Sequence, residues 1–389
     1  MKYMGHKGKL LPVLGEILIE EAGGAKRIAD PFCGSGAVSW FLAQNTDKVL
    51  IAGDLQAFAV ARASAIVERT EAVDSARLLA EWFAEARSVV NAVTEHFPNA
   101  ARSVGPDYAT SEDIRYIVAR SRTFCSTVLP PLLDQLGGSF PMAKAYGGHY
   151  FSPLQAIQLD ALRLTLPEKD SFRKVALAGL IEAASKCAAA PGHTAQPFQP
   201  TVSAAQYIIE AWNRNVWDLV SQSIDAIASS HARVAGEARA RDFVHSIETL
   251  EEGDLVFADP PYSDVHYSRF YHVLETLTKG QEITVFGKGR YPPLQERPAS
   301  SFSRRGQSLL AAKSLVESCA QKKVNLVLTF PSSGASNGLS ADHFVDIGRR
   351  HFAKIEKYEV ASNFSTLGGG RGTRGGRKAC TENIVCFKN

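Results

Sequence analysis

Short apolar runs that stop at acidic or glycine-rich turns recur along the chain, and they predict the strands of an open α/β sheet. The run from Leu255 to Ala258 must end at Asp259, because the two prolines that follow lack N–H groups and cannot continue a hydrogen-bonded ladder. Apolar positions at helical spacing accompany these runs. The predicted elements are a helix from Lys7 to Ala22, a strand from Arg27 to Asp30, a helix from Ala37 to Ala43, a strand from Lys48 to Gly53 and the strand from Leu255 to Ala258.

The middle of the chain is mostly helical in pattern and too long to connect two elements inside a compact domain. We therefore predict an inserted domain at 71–237, and a discontinuous domain made of 1–70 and 238–389. One helix of the insert is predicted to start at residues 110–113 and to bury a stripe of five apolar residues. These are Ile114, Ile117, Val118, Phe124 and Val128.

Composition indicates an ordinary globular protein, since 45% of the 389 residues are hydrophobic and 21% are charged. No apolar run approaches the roughly 18 residues that cross a membrane, and the basic start of the chain is not followed by a signal-peptide cleavage site. The six cysteines form no CxxC pair and have no histidine at ligand spacing, so we expect reduced cytosolic thiols and no metal site. The formal charge is only +3, so a nucleic-acid surface must come from local clustering of basic residues.

The turn after the Leu255 to Ala258 strand carries the most distinctive candidate chemistry. A rigid turn at a strand's carboxyl end fixes the Asp259 carboxylate, the Pro260 carbonyl and the Tyr262 ring relative to one another. Two acceptors and a stacking face suit a flat ligand with an exocyclic amino group. The alternative is an edge-strand turn that is closed by a packed tyrosine.

A second candidate site follows the first predicted strand. Gly34 and Gly36 have no Cβ atoms, which allows a ligand to approach the backbone closely at the sheet's carboxyl edge. Asp54, at the end of the next strand, lies 24 residues after Asp30, and an acidic residue at about that spacing suits the hydroxyls of a ribose. Asp54 could instead be the N-cap of the helix that starts near Gln56.

Four stretches of the chain together resemble a known family. They are Tyr3-Met4-Gly5-His6-Lys7, Asp30-Pro31-Phe32-Cys33-Gly34-Ser35-Gly36, Asp54, and Asp259-Pro260-Pro261-Tyr262. They occur in the order seen in the Dam-like (group alpha) S-adenosylmethionine-dependent DNA N6-adenine methyltransferases. The resemblance covers about 1–70 and 238–389 and fades between them. It implies an α/β fold, in which a Rossmann-like class I methyltransferase domain carries an inserted, mostly helical target-recognition domain.

The resemblance also implies roles for individual residues. The cofactor-binding residues implied are Tyr3, Lys7, Pro31, Phe32, Gly34, Gly36, Asp54, Asp242, Phe243 and Asp259, and the catalytic residues are Asp259, Pro260, Pro261 and Tyr262. Tyr3 and Lys7 would contact the methionine end of S-adenosylmethionine. Asp242 would accept from the amino group of its adenine beside Phe243, although Phe243 could equally be plain core. Thr381 to Phe387 resembles the last strand of the methyltransferase sheet, the one antiparallel to the rest.

Candidate contacts with double-stranded DNA lie in three segments. The residues concerned are His266, Tyr267 and Arg269 after the catalytic turn, Arg304 and Arg305 within 286–323, and Arg371 and Arg374 in the glycine-rich segment 368–378. The second segment has eight lysines or arginines against two acids, which suits a phosphate-facing surface but is also common on a solvated face. Two loops rich in polar and aromatic residues, 145–152 and 191–198, are candidates for base contacts. The alternative is that their aromatic rings pack to hold a helical lid in place.

These patterns and the resemblance predict a site-specific DNA adenine-N6 methyltransferase that acts on a flipped-out adenine. A cytosine-N4 methyltransferase and a catalytically inactive DNA-binding subunit are the alternatives, and RNA is a weaker candidate substrate. The family context suggests restriction-modification or phage defence, with a cognate endonuclease or defence-system subunit as a possible partner. We expect a cytoplasmic protein of prokaryotic or phage origin, associated with the nucleoid when bound to DNA and not with a membrane.

Overall fold

The computed structural model describes residue 3 and residues 7–97, 113–332, 335–365 and 377–389, with the backbone alone for 362–365 and 377–380. The chain forms two compact units. One contains Tyr3–Ala72, Ser230–Ser268 and Pro298–Asn389, and is called the sheet unit below; the other contains Val73–Ser229 and Arg269–Arg297, and is called the helical unit. The predicted functional domains stay a prediction, and among the described residues their boundaries differ from those of the units in two respects. Residues 269–297 group with the helical unit, and residues 71–72 and 230–237 of the predicted insert group with the sheet unit.

The sheet unit is built on seven strands. They are β1 Arg27–Asp30, β2 Val49–Asp54, β3 Glu237–Ala240, β4 Leu255–Ala258, β5 Asn325–Pro331, β6 Lys354–Ser365 and β7 Arg377–Lys388. Their order across the sheet is β3-β2-β1-β4-β5-β7-β6. The pairs from β3 to β5 are parallel, whereas β7 is antiparallel to both of its neighbours. The expected antiparallel last strand is therefore confirmed.

Helices cover the sheet and bury its central strands. The α-helices of this unit are α1 Leu11–Glu21, α2 Ala37–Asn45, α3 Ala57–Val67, α12 Phe243–Glu248, α14 Ser308–Gln321 and α15 Ala341–Gly348. All four residues of β4 are at most 1% exposed, which explains why this strand reads as a continuous apolar run. The core on one side combines Val256 with Leu315 of α14 and Phe344 of α15. The mixed α/β prediction is thus confirmed.

The helical unit consists of α4–α11 and most of α13. These helices are α4 Ser75–Thr94, α5 Asp113–Thr123, α6 Leu129–Leu136, α7 Pro141–Tyr146, α8 Pro153–Leu164, α9 Asp170–Cys187, α10 Ala205–Trp212, α11 Val216–Ala228 and α13 Ser268–Lys279. Ser152 closes a capping box at the start of α8. The buried Asp160 carboxylate accepts bonds from the first turn of α7, at 2.9 Å from Met142 N and 2.7 Å from Ala143 N. Across the described ranges, no helix is both long and apolar enough to span a membrane.

The predicted apolar stripe on α5 is largely correct but fails at its end. Ile114, Val118 and Phe124 are at most 6% exposed, whereas Val128 is 45% exposed. The reason is that Phe124–Val128 forms a π-helical turn. A π turn contains an extra residue, so it rotates the following positions away from the face that α5 buries.

Candidate active site

The site lies where the strand order reverses, at the carboxyl ends of β1 and β4. In open α/β sheets this is where ligands bind, because the loops after the two strands diverge and leave a crevice. The cavity here has a volume of about 320 Å³, within the range of small-molecule sites. The predicted residues that line it are Tyr3, Lys7, Pro31, Phe32, Gly34, Asp54, Asp242, Phe243, Asp259, Pro260, Pro261, Tyr262 and Tyr267.

The turn after β4 is fixed by bonds from the segment that follows β5. Asn337 Nδ2 donates to the Pro261 carbonyl at 2.9 Å, and Ser336 N donates to the Tyr262 carbonyl at 3.0 Å. Tyr262 is 6% exposed and its ring meets Phe330 edge-on, at 6.4 Å between centroids. Within the described part of the chain, no hydrogen bond ends on the Pro260 carbonyl. The turn is therefore rigid, while one of its carbonyls is free to accept.

Asp259 is held in a buried ionic network. Lys7 Nζ lies 2.9 Å from Asp259 Oδ1 and 2.9 Å from Glu382 Oε1. Thr329 Oγ1 donates to the same Asp259 Oδ1 at 2.9 Å. Lys7 and Glu382 side chains are 8% and 7% exposed, and that of Asp259 is 17% exposed. Two donors thus occupy Oδ1, which leaves Oδ2 as the oxygen that can accept a further bond.

The charges in this network follow from competition between burial and ion pairing. Burial by itself lowers the pKa of Lys7, but Asp259 and Glu382 outweigh it and hold that pKa above its usual value. Burial raises the pKa of Asp259, and the positive charge of Lys7 opposes that rise. Lys7 is therefore an ammonium ion at any physiological pH. Its charge is shared between two carboxylates.

The glycine loop after β1 binds the Asp54 carboxylate through the backbone. Gly34 N donates to Asp54 Oδ2 at 3.0 Å, and Gln56 N donates to Asp54 Oδ1 at 2.9 Å. Gly34 has φ +46°, and a Cβ there would lie 2.6 Å from the Tyr3 hydroxyl. Gly36, with φ +80°, is the N-cap of α2 and is not among the residues that line the cavity. The N-cap of α3 is Gln56 and not Asp54. Asp54 lines the cavity, and the two backbone bonds orient both of its carboxylate oxygens.

Three phenylalanines form an aromatic wall. Phe32 and Phe243 are stacked, with centroids 5.8 Å apart and planes 27° apart, and Phe302 meets their edges at 5.5 and 5.6 Å. Asp242 caps α12, since its Oδ1 accepts from His245 N at 3.1 Å. Burial raises the pKa of Asp242, but the bonds from His245 outweigh this and keep it below the usual value. Phe243 is thus both core and cavity wall, and Asp242 is ionised beside it.

Asp30 is a site residue that the sequence analysis did not select. It is 1% exposed and lines the cavity. Ser39 Oγ donates to its Oδ2 at 2.6 Å, whereas its buried Oδ1 accepts no hydrogen bond of normal geometry from the residues that the structure describes. Burial raises the pKa of Asp30 to about 7, against the lowering effect of the Ser39 bond. Near neutral pH this carboxyl therefore titrates.

The other residues that sequence reasoning missed are Thr329, Glu382 and Phe302. Glu382 had a signal, because it is the one acid of β7 and directly precedes the apolar end of that strand, where a buried charge needs a partner. Thr329 and Phe302 had none, since both fit an ordinary strand or core position. Their roles depend on tertiary neighbours.

The residues predicted to contact DNA do not all line the cavity. Tyr267 lines the cavity, where its hydroxyl bonds to Tyr262 and burial raises its pKa. His266 is half-buried next to it in sequence, and Arg304 and Arg305 are exposed in the sheet unit, just before α14. Arg269 belongs to the helical unit. Arg371 and Arg374 lie outside the described residues.

A metal site in the part of the chain that the structure describes would require a cluster of metal-ligating side chains. No group of three His, Cys, Asp or Glu side chains lies close enough there to hold a metal ion. The described free cysteines are all buried.

Fold and cavity together define a Rossmann-like methyltransferase, in which an antiparallel strand is inserted beside five parallel ones and the cavity opens at the switch point. The sequence model of the D12 class N6 adenine-specific DNA methyltransferases matches residues 3–108 and 214–328, more than half of the chain. The chain belongs to that family.

Two curated proteins are similar to parts of the chain. The modification methylase LlaI of Lactococcus lactis subsp. lactis is 30% identical over 141 residues, which is 35% of this chain and 21% of that protein. The modification methylase StsI of Streptococcus sanguinis is 22% identical over 165 residues, or 40% of this chain and 24% of that protein. The chain thus covers less than a quarter of either relative's length.

Proposed function

We propose that the protein transfers a methyl group from S-adenosylmethionine to the exocyclic amino group of adenine in double-stranded DNA. The observation that carries this proposal is the held carboxylate of Asp259, with Oδ1 occupied by Lys7 and Thr329 and Oδ2 left to accept. Family membership supports the adenine target. The two similar proteins are modification methylases, which supports a role in DNA modification. A cognate restriction endonuclease or defence subunit is the partner that we propose for this role.

The charge of the cavity fits the proposed methyl donor. The chemistry that bound S-adenosylmethionine supplies is an electrophilic methyl group on a positively charged sulfur. The charged residues that line the cavity are four carboxyls, Asp30, Asp54, Asp242 and Asp259, and one ammonium, Lys7. A cavity with this excess of carboxyls favours a cation. Its volume of about 320 Å³ is also that of a small-molecule site.

Separate parts of the cavity suit separate parts of such a ligand. The rings of Phe32 and Phe243 line the cavity as an aromatic surface for a purine, with the ionised Asp242 as acceptor for its amino group. Asp54 is oriented by two backbone N–H groups and lines the cavity, and a carboxylate at this strand end is the kind of group that accepts from a ribose diol. Asp30 Oδ1, which has no hydrogen-bond partner among the described residues, suits an ammonium group. Gly34 leaves room for close approach.

The catalytic turn then acts on the adenine. Asp259 Oδ2 and the Pro260 carbonyl would accept the two hydrogens of the amino group, which favours a pyramidal nitrogen with its lone pair aimed at the methyl group. The base must leave the duplex to reach this cavity, and Tyr262 offers a ring on which it stacks. Holding nitrogen and methyl at near-attack distance accounts for about 7–11 kcal/mol of the barrier in well-oriented systems. Most of the rate enhancement should therefore come from positioning.

Charge stabilisation supplies a second contribution. Methyl transfer leaves a positive charge on the amino nitrogen until a proton is lost. Because two carboxylates share the Lys7 charge, the network retains a net negative charge next to the reacting nitrogen. Asp259 is therefore suited to stabilise the cationic nitrogen and to receive its proton.

Incorporation of tritiated methyl from S-adenosylmethionine into unmodified duplex DNA tests the proposal, with digestion of the product to nucleosides. We expect label in N6-methyladenosine, and a loss of about 100-fold or more in Asp259→Ala, the usual cost of removing one preorganised polar group at a reacting atom. Asp47→Ala, which removes a carboxylate with an 80% exposed side chain, is the matched control and should behave as the wild type.

Other outcomes would redirect the assignment. Label in N4-methylcytosine would favour the alternative target, and cofactor binding without transfer to any DNA would favour an inactive DNA-binding subunit.

A further inference from the structure

A tight basic turn in the helical unit, Phe286–Tyr291, has a defined backbone. Phe286 and Tyr291 exchange both backbone hydrogen bonds, at 2.8 and 2.9 Å, and Arg290 N donates to Gly287 O at 3.1 Å. Gly287 has φ +68° and Arg290 has φ +54°. Positive φ is uncommon for a residue with a Cβ, so the surrounding structure must hold Arg290 in place.

Buried side chains anchor this turn at a single carbonyl. Gly289 O accepts from the Tyr150 hydroxyl and from His272 Nε2, each at 2.9 Å. Burial lowers the pKa of His272 to about 4, so the ring is neutral and carries a single proton. We assign that proton to Nε2, because its contact with Gly289 O is shorter than that of Nδ1 with Arg269 O at 3.2 Å. A Cβ on Gly289 would lie 2.4 Å from the Tyr291 ring and 2.5 Å from Ala195 O. The turn is therefore packed against the core of its unit and positions its basic residues rigidly.

Arg290 faces a second fixed arginine. Arg290 Nε donates to Ala145 O at 2.7 Å, and Arg122 Nε donates to Gly148 O at 3.1 Å, so both guanidinium groups are aligned by the same loop. Gly148 has φ +71°, and a Cβ there would lie 2.7 Å from Arg122 N. Burial, with the charges of Arg122 and Arg290, lowers the pKa of His149 to about 3. The imidazole is neutral, and the two guanidinium groups are the charges of this cluster.

No carboxylate balances these charges in the described ranges. Neither Arg122 nor Arg290 forms an ion pair there, and the same holds for Lys288, which is exposed at the tip of the basic turn. Arg269 and Arg297 lie over the ring of Tyr291 at 5.6 and 5.3 Å, so they use an aromatic face in place of an acid. Half-buried cations without a counter-charge are costly, and an anion between them removes that cost.

We propose that Arg122 and Arg290 bind one phosphodiester of the DNA backbone, and that Lys288 contacts a neighbouring phosphate. Arg122 is oriented through Nε alone, and Arg290 through Nε and a longer bond of 3.5 Å from Nη2 to Lys144 O. The other terminal N–H groups of both guanidinium groups are left for phosphate oxygens. A phosphodiester fits better than a base edge, because the site offers donors and no acceptor side chain. The inference rests on the proposed function for its choice of DNA, whereas a free phosphate has the same oxygen chemistry.

The salt dependence of binding tests this site. Binding of the full chain to two duplexes of different sequence is measured by fluorescence anisotropy between about 50 and 300 mM salt. Arg122→Gln and Arg290→Gln should each lower the slope of log Kd against log salt by about 1, and weaken binding equally on both duplexes. Arg115→Gln, which removes an exposed arginine of the same helix as Arg122, should leave the slope unchanged.

Two further measurements separate loss of the phosphate site from poor folding of a variant and from binding of free phosphate. Lys288→Gln alters an exposed side chain at the tip of the turn, so a lower slope there supports the site even where an arginine variant folds poorly. Thermal unfolding with inorganic phosphate identifies the other source of the anion. Stabilisation by phosphate that is lost in Arg122→Gln, together with an unchanged DNA slope, would overturn the DNA assignment.

Methyl transfer to the same duplexes separates the two proposals. Transfer by the wild type with unchanged slopes in all three variants would overturn the phosphate site alone. A wild-type protein that neither binds nor methylates any duplex would overturn the proposed function, and this inference with it.

Discussion

Asp30→Asn should change how stability depends on pH, because it removes a buried carboxyl whose pKa is raised to about 7 by burial. The ordinary value is 3.8. Between these two values the folded protein keeps a proton on Asp30 that the unfolded chain has released. Rising pH therefore favours the unfolded chain throughout that window, and the effect ends once the folded protein has also lost the proton.

The size of the effect follows from the width of the window. One unit of pKa difference corresponds to 1.36 kcal/mol, so about three units give a loss of about 4 kcal/mol between acid and neutral pH. Raising the pH from about 5 to about 8 crosses about two of these three units, so the free energy of unfolding should fall by about 3 kcal/mol. An asparagine keeps the oxygen that accepts from Ser39 Oγ but has no proton to release.

Urea unfolding without cofactor measures this difference at the two pH values. The free energy of unfolding of the wild type should fall relative to that of Asp30→Asn by about 3 kcal/mol as the pH rises through the window. Ser39→Ala removes a bond that lowers the pKa of Asp30, so it should extend the pH dependence to higher pH. A difference between wild type and Asp30→Asn that does not vary with pH would refute the reasoning.

Three further substitutions probe the site in other ways. Lys7→Met should cost about 3–5 kcal/mol in urea unfolding near pH 8, because it leaves two buried carboxylates without a counter-ion, whereas exposed Lys9→Met should cost little. Gly34→Ala should lower stability by about 1–2 kcal/mol and weaken cofactor binding in calorimetry, since the residue has φ +46° and its Cβ would collide with the Tyr3 hydroxyl. Unchanged binding would count against the glycine loop as part of the cofactor site. Phe302→Ala should cost about 3–5 kcal/mol in thermal unfolding, because its ring is fully buried.

The sequence predicted the elements around the site well because the local signals there are strong. β1 has the predicted bounds Arg27–Asp30, and the prolines after Ala258 end β4 where expected. The positive φ angles of Gly34 and Gly36 agree with a tight turn that glycine allows. By contrast, the stripe on α5 failed at Val128, because one π-helical turn changes the register and apolar spacing does not reveal it.

What the sequence determined by itself is where the strands beside the candidate site end, at Asp30, Asp54 and the turn from Asp259, and it selected Asp54 and Asp259 as candidate site residues. Only the tertiary structure decided which distant residues complete the site. β7 runs antiparallel, so Glu382, midway along it, pairs with Pro331 at the carboxyl end of β5 and reaches Lys7. Strand order and register depend on the packing of the whole sheet, and no local pattern of residues specifies them.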